Sequence, residues 1–151
     1  MPNWCSNHVE VSHTDPSKII EFVKACKTGS LFNHFVNRPL EEEDNWYQWN
    51  IDNWGTKWDV DADDIDFERV DGQVHASFDT AWGPPLAFYR SLEEDHGYKV
   101  IGYYIESGQD FCGIYEDGDY EHYDIDENVP DRLDEVFNIK DMLADREDEG
   151  F

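Results

Sequence analysis

Two alternating runs joined by an Asp-Gly pair constrain this chain most. From Asp64 to Arg69, the acids Asp64, Asp66 and Glu68 alternate with Ile65 and Phe67. After Asp71-Gly72, the residues Val74, Ala76, Phe78 and Thr80 alternate with His75, Ser77 and Asp79. A period of two sends alternate side chains to opposite faces of a strand, and Asp-Gly tolerates the positive φ angles of a tight turn. The segment therefore predicts a β-hairpin with one face to bury, and a hairpin alone cannot bury it.

The flanking sequence supplies the cover. Val9 and Val11 alternate with polar neighbours between Asn7 and His13, the pattern of a half-buried strand. Thr14-Asp15-Pro16 offers a cap and a first-turn proline, and Ile19, Ile20, Val23 and Cys26 recur at helical spacing until Gly29. Pro84-Pro85 opens a second helix through Leu86, Tyr89 and Leu92 to about His96, with Gly97 as its stop. Tyr98 to Ile105 is apolar on both faces, as a strand covered on two sides must be. Glycines at 108, 113 and 118 punctuate two short strands at 110–115 and 120–125, and Pro130 starts a last helix carrying Leu133, Val136, Phe137 and Leu143. The order is β-α-β-β-α-β, then a hairpin and a helix. That predicts an α+β fold of ferredoxin-like βαββαβ type, with helices on one face of the sheet and an added C-terminal hairpin and acidic helix. The length of 151 residues suits a single domain, 1–151, with a Trp-rich insertion at 30–58 and an acidic helix and tail at 128–151.

Charge is unevenly distributed. Residues 1–40 carry three acids and four bases, whereas 41–151 carry 33 acids and seven bases, which accounts for the net −25. Such a composition leans toward disorder, but 23 aromatic residues supply apolar area that disordered chains lack, so a folded body with a frayed acidic tail from Asp145 is expected. Like charge at this density repels nucleic acid and anionic lipid, and it attracts basic surfaces. No apolar run reaches the roughly 18 residues that span a bilayer, and the N-terminus lacks a basic region followed by an apolar stretch. Cys5, Cys26 and Cys112 are too few and scattered for a disulfide framework. A cytoplasmic location is expected.

Three segments carry a family resemblance: Met1-Pro2-Asn3-Trp4-Cys5 with Asn7, Val9 and Val11; Asn53-Trp54-Gly55-Thr56-Lys57-Trp58-Asp59; and Phe78-Asp79-Thr80-Ala81-Trp82-Gly83-Pro84-Pro85. Together they resemble the YubB-type ferredoxin-like domain of phage and plasmid proteins, over roughly residues 1–106. The resemblance implies a mobile-element origin and a ferredoxin-like fold. It implies no chemistry, so no catalytic residue is carried over from it. The acidic segments 116–127 and 141–149 lie beyond the family pattern.

The motifs that would carry chemistry fail on inspection. Asp59-Val60-Asp61-Ala62-Asp63 begins like a calcium loop, but its sixth position is Asp64 where glycine is needed, and its twelfth is Val70 where glutamate is needed. Cys5 and His8, even joined by Cys26 and Cys112, lack the paired Cys-x-x-Cys of a zinc site. No nucleophile motif, phosphate loop or His-Glu-x-x-His is present. No catalytic residue, metal ligand or cofactor is assigned.

Two acidic arrays remain, Asp61, Asp63, Asp64, Asp66 and Glu68, and Glu116, Asp117, Asp119, Glu121, Asp124, Asp126 and Glu127. On adjacent strands they would form rows resembling the phosphates of duplex DNA, and the alternative reading is a solubilising acidic face, as in a saline habitat. Trp46, Trp49, Trp54 and Trp58 read either as core filler for the insertion or as an aromatic platform for a partner, while Trp4 and Trp82 read as core residues near strand ends. The expected function is an acidic interaction protein of a phage or mobile element that binds and inhibits a host nucleic-acid-binding defence protein, by DNA mimicry where the rows exist. Its partner is a host protein with a basic surface. The alternatives are a small-ligand or metal binder, or an enzyme, using a cleft beside the insertion at Trp54, Trp58 and Trp82, and a structural or virion-associated protein.

Overall fold

A computed structural model describes residues 3–126 and 128–148. Six strands form one antiparallel sheet: β1 (Trp4–Ser12), β2 (Asp66–Val70), β3 (Gln73–Ala81), β4 (Lys99–Glu106), β5 (Phe111–Glu116) and β6 (Asp119–Asp124). Their order across the sheet is β2-β3-β1-β4-β5-β6. Six α-helices among the described residues accompany them: α1 (Pro16–Thr28), α2 (Leu31–Phe35), α3 (Trp46–Trp54), α4 (Leu86–His96), α5 (Asp131–Phe137) and α6 (Ile139–Asp148). The protein is thus mixed α+β.

Register explains how the two faces are used. Val9 lies opposite Ala76 on one side and Gly102 on the other, and Gly102 lies opposite Tyr115, so these four residues share a face. On that face Val9, Val11, Val74, Ala76, Phe78, Val100 and Tyr115 pack against Ile19, Phe22, Ala25 and Cys26 of α1, and against Phe88, Tyr89 and Leu92 of α4. Each large side chain fully buried there contributes roughly 1.5–3 kcal/mol. α1 starts where its sequence demands: Asp15 accepts from the Ser17 amide at 2.9 Å, and Pro16 occupies the first turn. In the β2–β3 turn, Asp71 and Gly72 adopt φ of 49° and 81°, which gives the twist a two-residue hairpin needs.

Three expectations change. The helices do not all lie on one face, because Tyr103, Ile105, Cys112 and Ile114 point to the opposite face and pack there with Ile125, Val129, Leu133 and Ile139. This second core exists because β4 and β5 are apolar on both sides. The single C-terminal helix is two helices, parted by Asn138 in the left-handed region at φ 53°. α6 continues through Asp148, four residues into the expected tail, and residues 149–151 lie outside the described residues.

Candidate functional site

The Trp-rich segment folds around one carboxylate. Asp59 Oδ1 accepts from the Phe32 amide at 2.8 Å and the Val60 amide at 2.7 Å, and Oδ2 accepts from the Asn33 amide at 2.9 Å. These bonds satisfy the first amides of α2, whose own N-cap, Ser30, makes no side-chain bond. Burial nevertheless raises the Asp59 carboxyl above the ordinary carboxylate range. The residue that opened the failed calcium motif is therefore a helix cap.

The four candidate indoles separate into two pairs. Trp54 is 3% exposed, donates from Nε1 to the Val36 carbonyl at 2.9 Å and packs on Phe32, while Trp49 is partly buried against the same core. Trp46 and Trp58 are exposed. Trp4 and Trp82, expected in the core, are 47% and 50% exposed, because they sit where β1 begins and β3 has just ended, beyond the covering helices. Trp4 and Trp58 meet with ring centroids 6.1 Å apart, and Lys57 Nζ lies 4.5 Å from the Trp58 ring centroid.

The two acidic arrays are not neighbours. β2 and β6 are the opposite edges of the sheet, five strand spacings or about 24 Å apart. Asp66 and Glu68 share a pleat face with Glu116, Asp119 and Glu121, as the ladder of opposed pairs requires. Strand twist of about 20° per step nevertheless turns the face normals at the two edges roughly 100° apart, and α5 stands over β4 and β5 between them. The two arrays thus share a pleat face but stand at opposite edges of the sheet, not on adjacent strands.

The edges also differ chemically. Asp61, Asp63, Asp64, Asp66 and Glu68 are all exposed, the first three on or beside a short 3-10 turn at Ala62–Asp64 that leads into β2. Asp64 and Asp79 line a recess of about 320 Å³ with Trp4 and Trp58, so this array adjoins exposed indoles. In the other array, Glu116 is bound by Arg132 of α5 at 3.0 Å, and the same guanidinium donates to Tyr103 at 3.1 Å. Glu121 accepts from Tyr123, and Asp124 points to the face opposite Asp119 and Glu121. Asp117 occupies the β5–β6 turn, Asp126 is exposed after β6, and Glu127 lies outside the described residues.

A groove of about 730 Å³ lies within the insertion, lined by Asn33, Arg38, Trp46, Asn50, Trp54 and Trp58 among others. Trp82, expected in this cleft, is not among its lining residues. Arg38 is already engaged there, donating to Asn50 Oδ1 at 2.8 Å and stacking over Trp54.

Beside α5, whose Val136 and Phe137 line a recess with His8, Asp66 and Ser77, the second face carries polar residues that sequence reasoning did not single out. Glu10 of β1 is opposite His75 of β3, which is opposite Glu68 of β2; one row along, His8, Ser77 and Asp66 are opposed in the same way. Alternation alone assigns His8, Glu10, His75 and Ser77 to a polar face, but their meeting depends on strand order and register.

The residues that carry the family resemblance are largely scaffold. Asn7 is buried and donates to the carbonyls of Cys5 and Phe78 and to Thr80 Oγ1, Thr80 donates to the Gly83 carbonyl at 2.6 Å, and Thr56 donates to the Ala81 carbonyl at 3.0 Å. Gly55 has φ of 86°, and a Cβ there would lie 3.0 Å from the Leu86 amide, so α3 meets the start of α4 only through a glycine. Cys5, Cys26 and Cys112 are buried thiols, and burial pushes Cys5 and Cys26 up to about 12.

No helix among the described residues is long and apolar enough to cross a membrane. No family model matches the chain, and no curated protein matches it. Among solved structures it is similar to the crystal structure of a protein api92 from Yersinia pseudotuberculosis, with family-model DUF1281, at 17% identity and a TM-score of 0.48, covering 66% of this chain and 40% of that one. The chain therefore spans 40% of the length of that protein.

Proposed function

We propose that this chain is an acidic interaction protein that occupies the basic, nucleic-acid-binding surface of a partner, namely a host defence protein met by a phage or other mobile element. One observation carries the reading: the exposed carboxylates of Asp64 and Asp79 line one recess with the exposed rings of Trp4 and Trp58, and Asp66 and Glu68 continue the acidic run along β2. Carboxylates of one sign steer encounter with a basic surface, and aromatic rings that become buried on docking slow release. The β6 edge offers less of this combination: Asp117, Asp119 and Glu121 line a recess with one exposed ring, Tyr120, in place of two, and Arg132 in the same recess pairs with Glu116. Mimicry of nucleic acid is then confined to one edge. Along a strand, acids at every second residue recur each ~6.6 Å, half the linear density of one DNA strand, so the partner is held by a compact charged patch and not by a long phosphate-like row.

The same proposal includes a ferredoxin-like core and a mobile-element origin. Supporting the first, β4-β1-β3-β2 are adjacent in that order and antiparallel, with α1 and α4 on one face. A cytoplasmic setting is supported by the three buried thiols.

Affinity capture from host lysate tests the function. The expected result is recovery of a nucleic-acid-binding protein that is released by raised salt and competes with duplex DNA. Recovery of partners indifferent to salt, or of no nucleic-acid-binding protein, counts against it.

The groove of about 730 Å³ favours a second reading, because it falls within the size range of small-ligand sites and presents Arg38 beside Trp46, Trp54 and Trp58. A thermal-shift screen against nucleotides and small anions separates the two readings. A ligand of the groove raises the melting temperature at low concentration, and the Arg38→Gln variant loses that response.

A further inference from the structure

We infer that His8, His75 and Glu10 form a binding site for one divalent transition-metal ion of the zinc class, on the second face of the sheet. One donor atom from each residue lies within 4.8 Å of the other two, and His8 Nε2 is 4.0 Å from Glu10 Oε2. Metal–ligand bonds of 2.0–2.2 Å place tetrahedral ligands about 3.4 Å apart, so closure brings the donor atoms together by about 1 Å.

The platform suits that demand. Glu10 and His75 are directly opposed across the β1–β3 ladder, and His8 is two residues along β1 on the same face. The sheet therefore fixes three Cβ positions before any ion arrives. Each imidazole also has one nitrogen held by a neutral oxygen, with Ser77 Oγ 3.0 Å from His8 Nδ1 and Gln73 Oε1 3.1 Å from His75 Nε2. Bonds of this kind orient metal-ligating histidines, and they leave the second nitrogen of each ring for the ion.

Charge and access agree with the geometry. Three half-buried ligands contribute one negative charge, and the recess of about 230 Å³ lined by His8, Asp66, Glu68, His75 and Ser77 adds two nearby carboxylates that offset a dication. The site opens to solvent on the recess side, so water or an external donor takes the fourth position. Two imidazoles and a carboxylate select zinc-class ions, whereas the surrounding carboxylates alone attract magnesium and calcium without a defined site.

The test titrates the full chain with zinc by calorimetry, with magnesium as comparison, and records the visible spectrum with cobalt. The expected result is one tight zinc equivalent that magnesium does not displace, and cobalt bands of a low-symmetry, four-coordinate site. His75→Ala and His8→Ala should each lower zinc affinity by more than about 100-fold, and Ser77→Ala by about tenfold through loss of the orienting bond. Circular dichroism checks the fold of each variant, and Glu10→Gln, which keeps the side-chain shape, serves if a histidine variant unfolds. Zinc affinity unchanged in the histidine or Glu10→Gln variants, or zinc bound no more tightly than magnesium, overturns the assignment.

Discussion

Replacing Asp59 with alanine tests whether the Trp-rich segment depends on a single carboxylate. The change removes three acceptors at 2.7–2.9 Å from the amides of Phe32, Asn33 and Val60, and Phe32 and Val60 are themselves buried. A hydrogen bond to a charged group contributes about 1.5–3 kcal/mol, and an amide left without a partner costs a similar amount. Three such bonds exceed the answer, because burying the carboxylate has its own cost, seen in its raised pKa. The net loss should be about 3 kcal/mol. Asp59→Asn keeps an acceptor for Phe32 and Val60 but turns a donor toward Asn33, so it should lose about 1 kcal/mol. Urea unfolding followed by tryptophan fluorescence reads both, since Trp54 lies 5.9 Å from Phe32. With a slope of about 2 kcal/mol/M, the midpoint should fall by about 1.5 M for alanine and about 0.5 M for asparagine. An alanine variant within about 0.3 M of the parent, or equal losses for the two substitutions, would refute the capping argument.

Two further outcomes follow from burial. Among the described residues Tyr89 Oη is buried without a hydrogen-bond partner, so Tyr89→Phe should leave the melting temperature unchanged or raise it, in contrast to most core substitutions. Burial raises the Cys5 and Cys26 thiols from 9.0 to about 12, and it raises Tyr104 and Tyr115 as well. The unfolded chain then releases these protons at lower pH than the folded one. Urea midpoints should therefore fall as pH rises from 9 toward 12, and a midpoint that rises over that window contradicts the placement of these groups.

Much of the fold is legible in the sequence because local signals and tertiary packing agree there. Asp15-Pro16 and Gly29 bound α1, Asp71-Gly72 sets the hairpin, and the doubly apolar run at 98–105 requires cover on both faces, which α5 and α6 complete. The insertion reads as irregular because α2 and α3 owe little to periodicity. α2 is five residues capped by Asp59 from 26 and 27 residues away, and Asn50 of α3 ties Arg38 to the Lys57 carbonyl. The acidic arrays are visible as composition, but strand order separates them, and no local pattern reports that β2 and β6 are opposite edges. The His8–Glu10–His75 cluster is hidden for the same reason. Its residues come from strands more than sixty positions apart and meet only in one register.

The central claim is that the β2 edge, and not the β6 edge, engages a basic partner. The most direct measurement compares two charge-neutralised proteins with the parent in binding the partner recovered from lysate: Asp64→Asn/Asp66→Asn/Glu68→Gln at one edge and Asp117→Asn/Asp119→Asn/Glu121→Gln at the other. Each triple removes three charges, so nonspecific attraction falls equally. Association should slow strongly with the first triple and little with the second, and 1 M salt, where the Debye length is about 3 Å, should abolish the difference. Equal loss at both edges, or greater loss at β6, would contradict it.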